Sequence, residues 1–196
     1  MNETRKERQL RTAESAFQTR EDGDELIIEG YFAVYNSDYV INEDMSESIA
    51  PGAFTDTLGN DIRALTNHDT SLVLGRNKAG TLELRDDSRG LWGRIKINPN
   101  DQDAMNTYER VKRGDVNQCS IGFEILDEET EFLEGGRIHW TIRKINLFEV
   151  SVCTVPAYAE TSVSARMHDA EEIKKRSAEA WKERIMQKLK GESDNA

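Results

Sequence analysis

The chain is poor in the residues that build metal sites and disulfide frameworks. It has two cysteines, Cys119 and Cys153, and three histidines, and none of them stands at a zinc-ligand spacing. Both cysteines lie in strand-like apolar stretches, which fits a reducing compartment better than a disulfide scaffold. No apolar run approaches the roughly 20 residues that a membrane span requires. Residues 1–10 are too polar for a secretory signal. The protein is therefore expected to be soluble, with no membrane partner. Basic residues are in deficit, with 26 Lys and Arg against 37 Asp and Glu and a formal net charge of −11. A nucleic-acid binder needs a basic face to displace counterions from phosphates, so that partner class is excluded. No glycine-rich loop is present to cradle a phosphate, and no metal or cofactor is expected.

What is present reads as one domain with a core, flanked by charged ends. Residues 1–20 are polar and charged and read as an arm. Residues 25–35 are rich in β-branched and aromatic side chains, as a strand requires. Pro51 stands where a short helix could start, with Phe54 and Leu58 on one face. Short strands follow at 62–67, 72–74, 81–85 and 91–97, punctuated by Gly80 and residues 86–90. Asn98 to Asp101 caps a helix that carries Ala104, Met105, Tyr108 and Val111 at helical spacing, and Gly114 stops it. Strands are expected again at 116–126, 137–144 and 145–155, with the acidic residues 127–136 as the turn between the first two. Many short strands with few helices predict a mainly β fold with peripheral helices (α+β), built as a compact closed or nearly closed β-barrel over residues 21–166. Residues 167–196 change to Ala, Glu, Lys and Arg, with Ile173, Trp181, Ile185 and Leu189 in a stripe. They read as a charged amphipathic helical tail.

Three side chains are candidates for chemistry. His68 ends a strand-like run, where a scaffold meets a loop and proton transfer is best placed; it also reads as a turn histidine beside Asp69. His139 alternates with Arg137 and Thr141 on a wet strand face, and His168 belongs to the tail. In residues 117–125, Cys119, Ile121, Phe123 and Ile125 share one strand face, while Ser120 and Gly122 share the other. That parity buries the thiol and presents the hydroxyl, which favours Ser120 over Cys119 as nucleophile; a plain surface serine fits as well. Glu149 lies in the apolar run 145–155, where a carboxylate needs a partner. A histidine would serve, and so would Arg137, Arg143 or Lys144.

These residues fall in a pattern that resembles the prohead proteases of tailed phages, relatives of the herpesvirus assemblins. The matching pieces run in order: residues 47–54 (ESIAPGAF), His68-Asp69, Leu74-Gly75, 87–91, the helix ending at Gly114, 119–123 (CSIGF), 147–152 (LFEVSV), and Pro156-Ala157. They span roughly residues 12–166. The resemblance implies a barrel of the herpesvirus-protease type and a serine endopeptidase with Ser120 as nucleophile, His68 as base and Glu149 as the orienting third member. Assemblins use a second histidine in that third role. An assemblin arginine has no counterpart here before Arg166, so backbone amides are the default oxyanion donors. The substrates implied are the scaffolding segment of the capsid protein, or a separate scaffold, and the protease itself. The place of action implied is the immature capsid (prohead) in the host cytoplasm. Homo-oligomerisation is left open. The helical tail would dock on scaffold helices. Rival readings are a non-catalytic assembly or scaffolding protein of the same fold, a cysteine hydrolase using Cys119, and a β-barrel that binds a small ligand.

Overall fold

The computed structural model describes residues 9–14, 17–23, 25–155 and 160–193. The elements, in order, are strands β1 (Gln9–Glu14), β2 (Gln18–Asp22), β3 (Glu25–Val34), β4 (Tyr39–Asn42), β5 (Met45–Ile49), β6 (Arg63–Thr66), β7 (Asp69–Arg76), β8 (Leu82–Asp86) and β9 (Gly90–Ile97). Helix α1 (Gln102–Arg113), strands β10 (Gln118–Phe132) and β11 (Ile138–Cys153), and helix α2 (Glu160–Ser193) complete the chain. By backbone contacts it divides into two units, Met1–Ala159 and Glu160–Ala196.

The first unit is mainly β, with α1 as its helix. One sheet runs β1-β10-β11-β5-β4, with β6 also on β11 and β7 on β6; the second runs β2-β3-β9-β8. Strand β11 is long enough to take two parallel neighbours along one edge. Its residues 138–142 pair with β5 and 149–152 with β6, while β10 runs antiparallel along the other edge. Alternation sets the inner faces. Ile28, Phe32, Leu91 and Ile95 of the second sheet form one buried cluster with Cys119, Ile121, Phe123 and Val150 of the first.

The mainly β, α+β class expected from the sequence is what the chain adopts. Strand pairing closes neither sheet into a ring among the described residues, so the closed barrel is not seen as such. The first sheet branches at β11, where two strands share one edge. Three further expectations differ in detail. Residues 51–59 form successive turns, not a short helix, because Gly52 takes φ +83° and the hydrogen bonds run three residues back, as from Ala53 N to Ala50 O. The acidic stretch 127–132 extends β10, and 138–153 is one strand; the turn between them is only 133–137. Helix α1 is as expected, with Asp101 accepting from the amides of Asp103 and Ala104 and with Gly114 left-handed at φ +85°.

Residues 9–14, inside the stretch expected as an arm, form β1 along β10. Arg11 anchors it. Its guanidinium pairs with the Glu47 carboxylate on β5 (Nη2 to Oε2 2.8 Å) and lies over the rings of Tyr39 and Phe123. Both partners are buried. Removing one member of a buried pair strands the other charge, so Glu47→Ala is expected to destabilise by about 3–5 kcal/mol, read as a shift in the urea midpoint.

Helix α2 makes up the second unit, and it begins seven residues before the tail was expected to start. Trp181, Ile185 and Met186 are exposed on it, and Leu189 lies outside the residues whose side chains are described. Among the described residues no helix is long and apolar enough to cross a membrane.

Candidate active site

The turn between β6 and β7 carries the first candidate. Thr66 pairs with Asp69, leaving a two-residue turn of Asn67 and His68 at φ +51° and +61°. Left-handed backbone at both positions is the geometry that matches the twist of a hairpin. Asn adopts it readily, and His more readily than most residues. The turn is sewn to β11: Asn67 N donates to Val152 O (3.0 Å), and Asn67 Oδ1 accepts from Thr154 N (2.9 Å). Asp69 is engaged in its own turn. The Ser71 hydroxyl and amide bond to its carboxylate (2.6 and 2.8 Å) and hold its pKa below the usual carboxylate value.

Strand parity on β11 supplies the rest. Val150 and Val152 face the core, so Glu149, Ser151 and Cys153 face the opposite side. There His68 Nδ1 meets Glu149 Oε1 at 2.7 Å, with the carboxylate 3% exposed and the imidazole 15%. The Ser151 hydroxyl donates to Glu149 Oε2 (2.6 Å) and accepts from the His68 backbone amide (3.2 Å). Cys153 Sγ lies 3.9 Å from His68 Nε2, and burial pushes its thiol up to about 12. The other partners considered for Glu149 from the sequence are used elsewhere: Arg143 pairs with Glu129, Lys144 with Asp56, and Arg137 bonds to Glu134 O.

Ser120 lies on β10 directly across from Ser151, and Gly122 lies across from Glu149. The parity reading of its face therefore stands, with Cys119 on the core side. Cys119 is fully buried there, its Sγ donating to Tyr31 O and Phe32 O at 3.4 Å. The expected openness of the Ser120 face does not hold: Ser120 is 0% exposed, and its hydroxyl donates to Arg11 O on β1 at 2.9 Å. Alternation fixes which face a side chain takes. It does not tell what covers that face.

His139 does not join this group. Both ring nitrogens of His139 are held by serines of β5, Nδ1 by Ser46 (2.8 Å) and Nε2 by Ser48 (2.9 Å). The side chain of His168 lies outside the described residues. A cavity of about 380 Å3, lined in part by Arg11, Phe32, Tyr39, Glu47 and Ile121, opens on the Ile121 side of β10, away from the Ser120 face. Among the described residues no group of three or more His, Cys, Asp or Glu is arranged to hold a metal ion. Sequence reasoning missed Ser151 and Asn67. The first was readable as the residue two beyond Glu149 on the same face. The second was readable as the left-handed partner of His68 in a two-residue turn.

Known proteins resemble this chain. The solved structure of the bacteriophage T4 capsid assembly protease aligns with 76% of this chain and 99% of its own, at 15% identity and a TM-score of 0.49. That likeness bears on neither residue roles nor activity. The prohead protease of Enterobacteria phage HK97 is 30% identical over 148 residues, which are 74% of this chain and 61% of that protein. The chain thus spans less than two thirds of that relative's length. A family model described as caudovirus prohead serine protease matches residues 14–176. The chain belongs to the caudovirus prohead serine protease family.

Proposed function

We propose that this chain is a serine endopeptidase that matures phage capsids. It cleaves the scaffolding segment of the capsid protein, or a separate scaffold, and itself, inside the immature capsid in the host cytoplasm. The observation that carries this reading is the buried Glu149 to His68 contact of 2.7 Å, on the strand adjacent to Ser120. A carboxylate on Nδ1 leaves Nε2 free of its proton and able to accept one. His68 Nε2 takes the Ser120 proton as the oxygen attacks the peptide carbonyl, and then gives it to the leaving amine. For this the Ser120 hydroxyl leaves the Arg11 carbonyl and turns toward His68. Glu149 does not take the proton; it holds the imidazole and stabilises its cation. The family resemblance further supports reading the two sheets as the barrel of herpesvirus-type proteases, and α2 as a tail that docks on scaffold helices.

The test is co-expression of the full chain with the capsid protein of its phage, read as fragment masses, with and without iodoacetamide at pH 8. Fragments are expected in both arms. With its thiol raised to about 12, Cys153 is a thiolate about one part in ten thousand of the time at that pH, and Cys119 is sealed in the core. Intact capsid protein in the untreated arm would sink the reading, as would loss of cleavage on alkylation, which points to a thiol enzyme.

A further inference from the structure

A buried serine near the end of strand β11, with an apolar residue on either side, calls for an explanation. Ser151 is 0% exposed between Val150 and Val152, where β-branched residues are the better strand formers. A buried hydroxyl is unfavourable unless its bonds are made. Here both are made, and both go to the proposed catalytic pair. Its proton goes to Glu149 Oε2 (2.6 Å), and its lone pair receives the His68 backbone N–H (3.2 Å). Glu149 Oε1 in turn holds His68 Nδ1 at 2.7 Å. Three hydrogen bonds thus close a ring through one hydroxyl, one carboxylate, and the main chain and side chain of one histidine.

We infer that Ser151 is a positioning residue for the reaction proposed above, an assignment that rests on that reading of Ser120, His68 and Glu149. It performs two tasks at once. Its O–H fixes the rotation of the Glu149 carboxylate, so that Oε1 points at Nδ1. Its lone pair fixes the His68 backbone, whose left-handed conformation gives the ring its direction. A two-residue hairpin turn leaves the amides of both turn residues without partners inside the turn. Strand β11 receives both, Asn67 N at the Val152 carbonyl and His68 N at the Ser151 hydroxyl. Only the second comes from a side chain, so it is the link that a substitution can cut without breaking the sheet. Because Ser120 is the Cα partner of Ser151 across the strand pair, the ring is built in register with the nucleophile.

The prediction concerns rate, not affinity. With purified full chain in excess over capsid protein, Ser151→Ala should lower the maximal cleavage rate by about 100-fold and leave the half-saturating concentration unchanged. Ser151→Cys leaves no cavity but puts a weak donor in place of the hydroxyl and should lose nearly as much, which guards against an alanine variant that merely folds badly. Because one of its two tasks runs through the carboxylate, adding Ser151→Ala to Glu149→Gln should cost well under the roughly 100-fold it costs alone, since coupled residues are not additive. In a Ser120→Ala background, which cannot cleave itself, the downfield proton resonance of His68 Nδ1 should disappear when Ser151→Ala is added. A merely structural serine would give multiplying losses with Glu149→Gln and an unchanged resonance. Either result, or wild-type rates in Ser151→Cys, overturns the assignment. Cleavage persisting in Ser120→Ala takes down the catalytic reading and this assignment together. A fast Ser151→Ala beside an inert Ser120→Ala overturns this assignment alone.

Discussion

Ser120→Ala is expected to lower cleavage of the capsid protein by about a million-fold, the scale seen when the nucleophile of a serine triad is removed. The fold should survive, because the substitution removes a single hydroxyl, whose bonds include one to the Arg11 carbonyl, and leaves the strand pairing of β10 intact. The net contribution of such a bond is about 1 kcal/mol. The neighbouring thiol offers no rescue. Cys119 points to the opposite face, donates to the carbonyls of Tyr31 and Phe32, and is fully buried. The measurement is fragment mass after co-expression, paired with thermal unfolding of the purified variant. An unfolding transition close to wild type with intact capsid protein identifies the nucleophile. A non-catalytic scaffold would show no difference between variant and wild type in either measurement. Fragments in the variant would place the nucleophile elsewhere.

The parts of the fold that could be read from the sequence are those governed by local periodicity. The period-two alternation of residues 119–125 gave the correct division of β10 into two faces, though not that both are covered, and the cap ending at Asp101 and the Gly114 stop bounded α1 to within a residue. Tertiary pairing decided the rest. The acidic residues 127–132 look like a loop by composition, but the cross-strand partners at 138–142 draw them into β10. Residues 9–14 look like an arm because their charges suggest solvent; the buried Glu47 on β5 is what turns Arg11 inward. The same division holds at the site. That Glu149 needs a partner followed from its apolar neighbours, but the choice of His68 over Arg143 or Lys144 depends on β6 lying parallel to β11. Parallel pairing between segments more than 80 residues apart leaves no local trace. Ser151 was passed over for a related reason: a small polar residue in a strand looks incidental until both of its partners are in place.

Glu149→Gln is the more searching test, because it keeps the shape and removes only an acceptor. Two neighbours among the described residues donate to the carboxylate, His68 through Nδ1 and Ser151 through its hydroxyl. A carboxylate accepts on both oxygens. A glutamine accepts on one and presents two N–H donors on the other, so one contact becomes donor against donor. If the amide nitrogen faces His68, the imidazole relieves the clash by moving its proton to Nε2, and the nitrogen that receives the Ser120 proton in the proposed reaction is then occupied. If it faces Ser151, the hydroxyl must turn its proton away, while the ring keeps its tautomer and loses the negative charge that would stabilise its cation. Both outcomes slow proton transfer without changing how substrate binds. The expected loss is about ten-thousand-fold in maximal rate, smaller than for Ser120→Ala because the proposed nucleophile and base remain. The half-saturating capsid-protein concentration should stay within a few fold. A variant that keeps its rate would show that Glu149 is a buried structural acid, and His68 would then need its orientation from another group. A drop as deep as that of Ser120→Ala would mean that the charge itself, beyond orientation, carries the imidazolium through the transition state. The two cases separate on Glu149→Asp, which keeps the charge but draws it back by one methylene. Charge-dominated catalysis tolerates that retreat better than the glutamine, whereas catalysis dominated by ring orientation loses the 2.7 Å contact and falls at least as far.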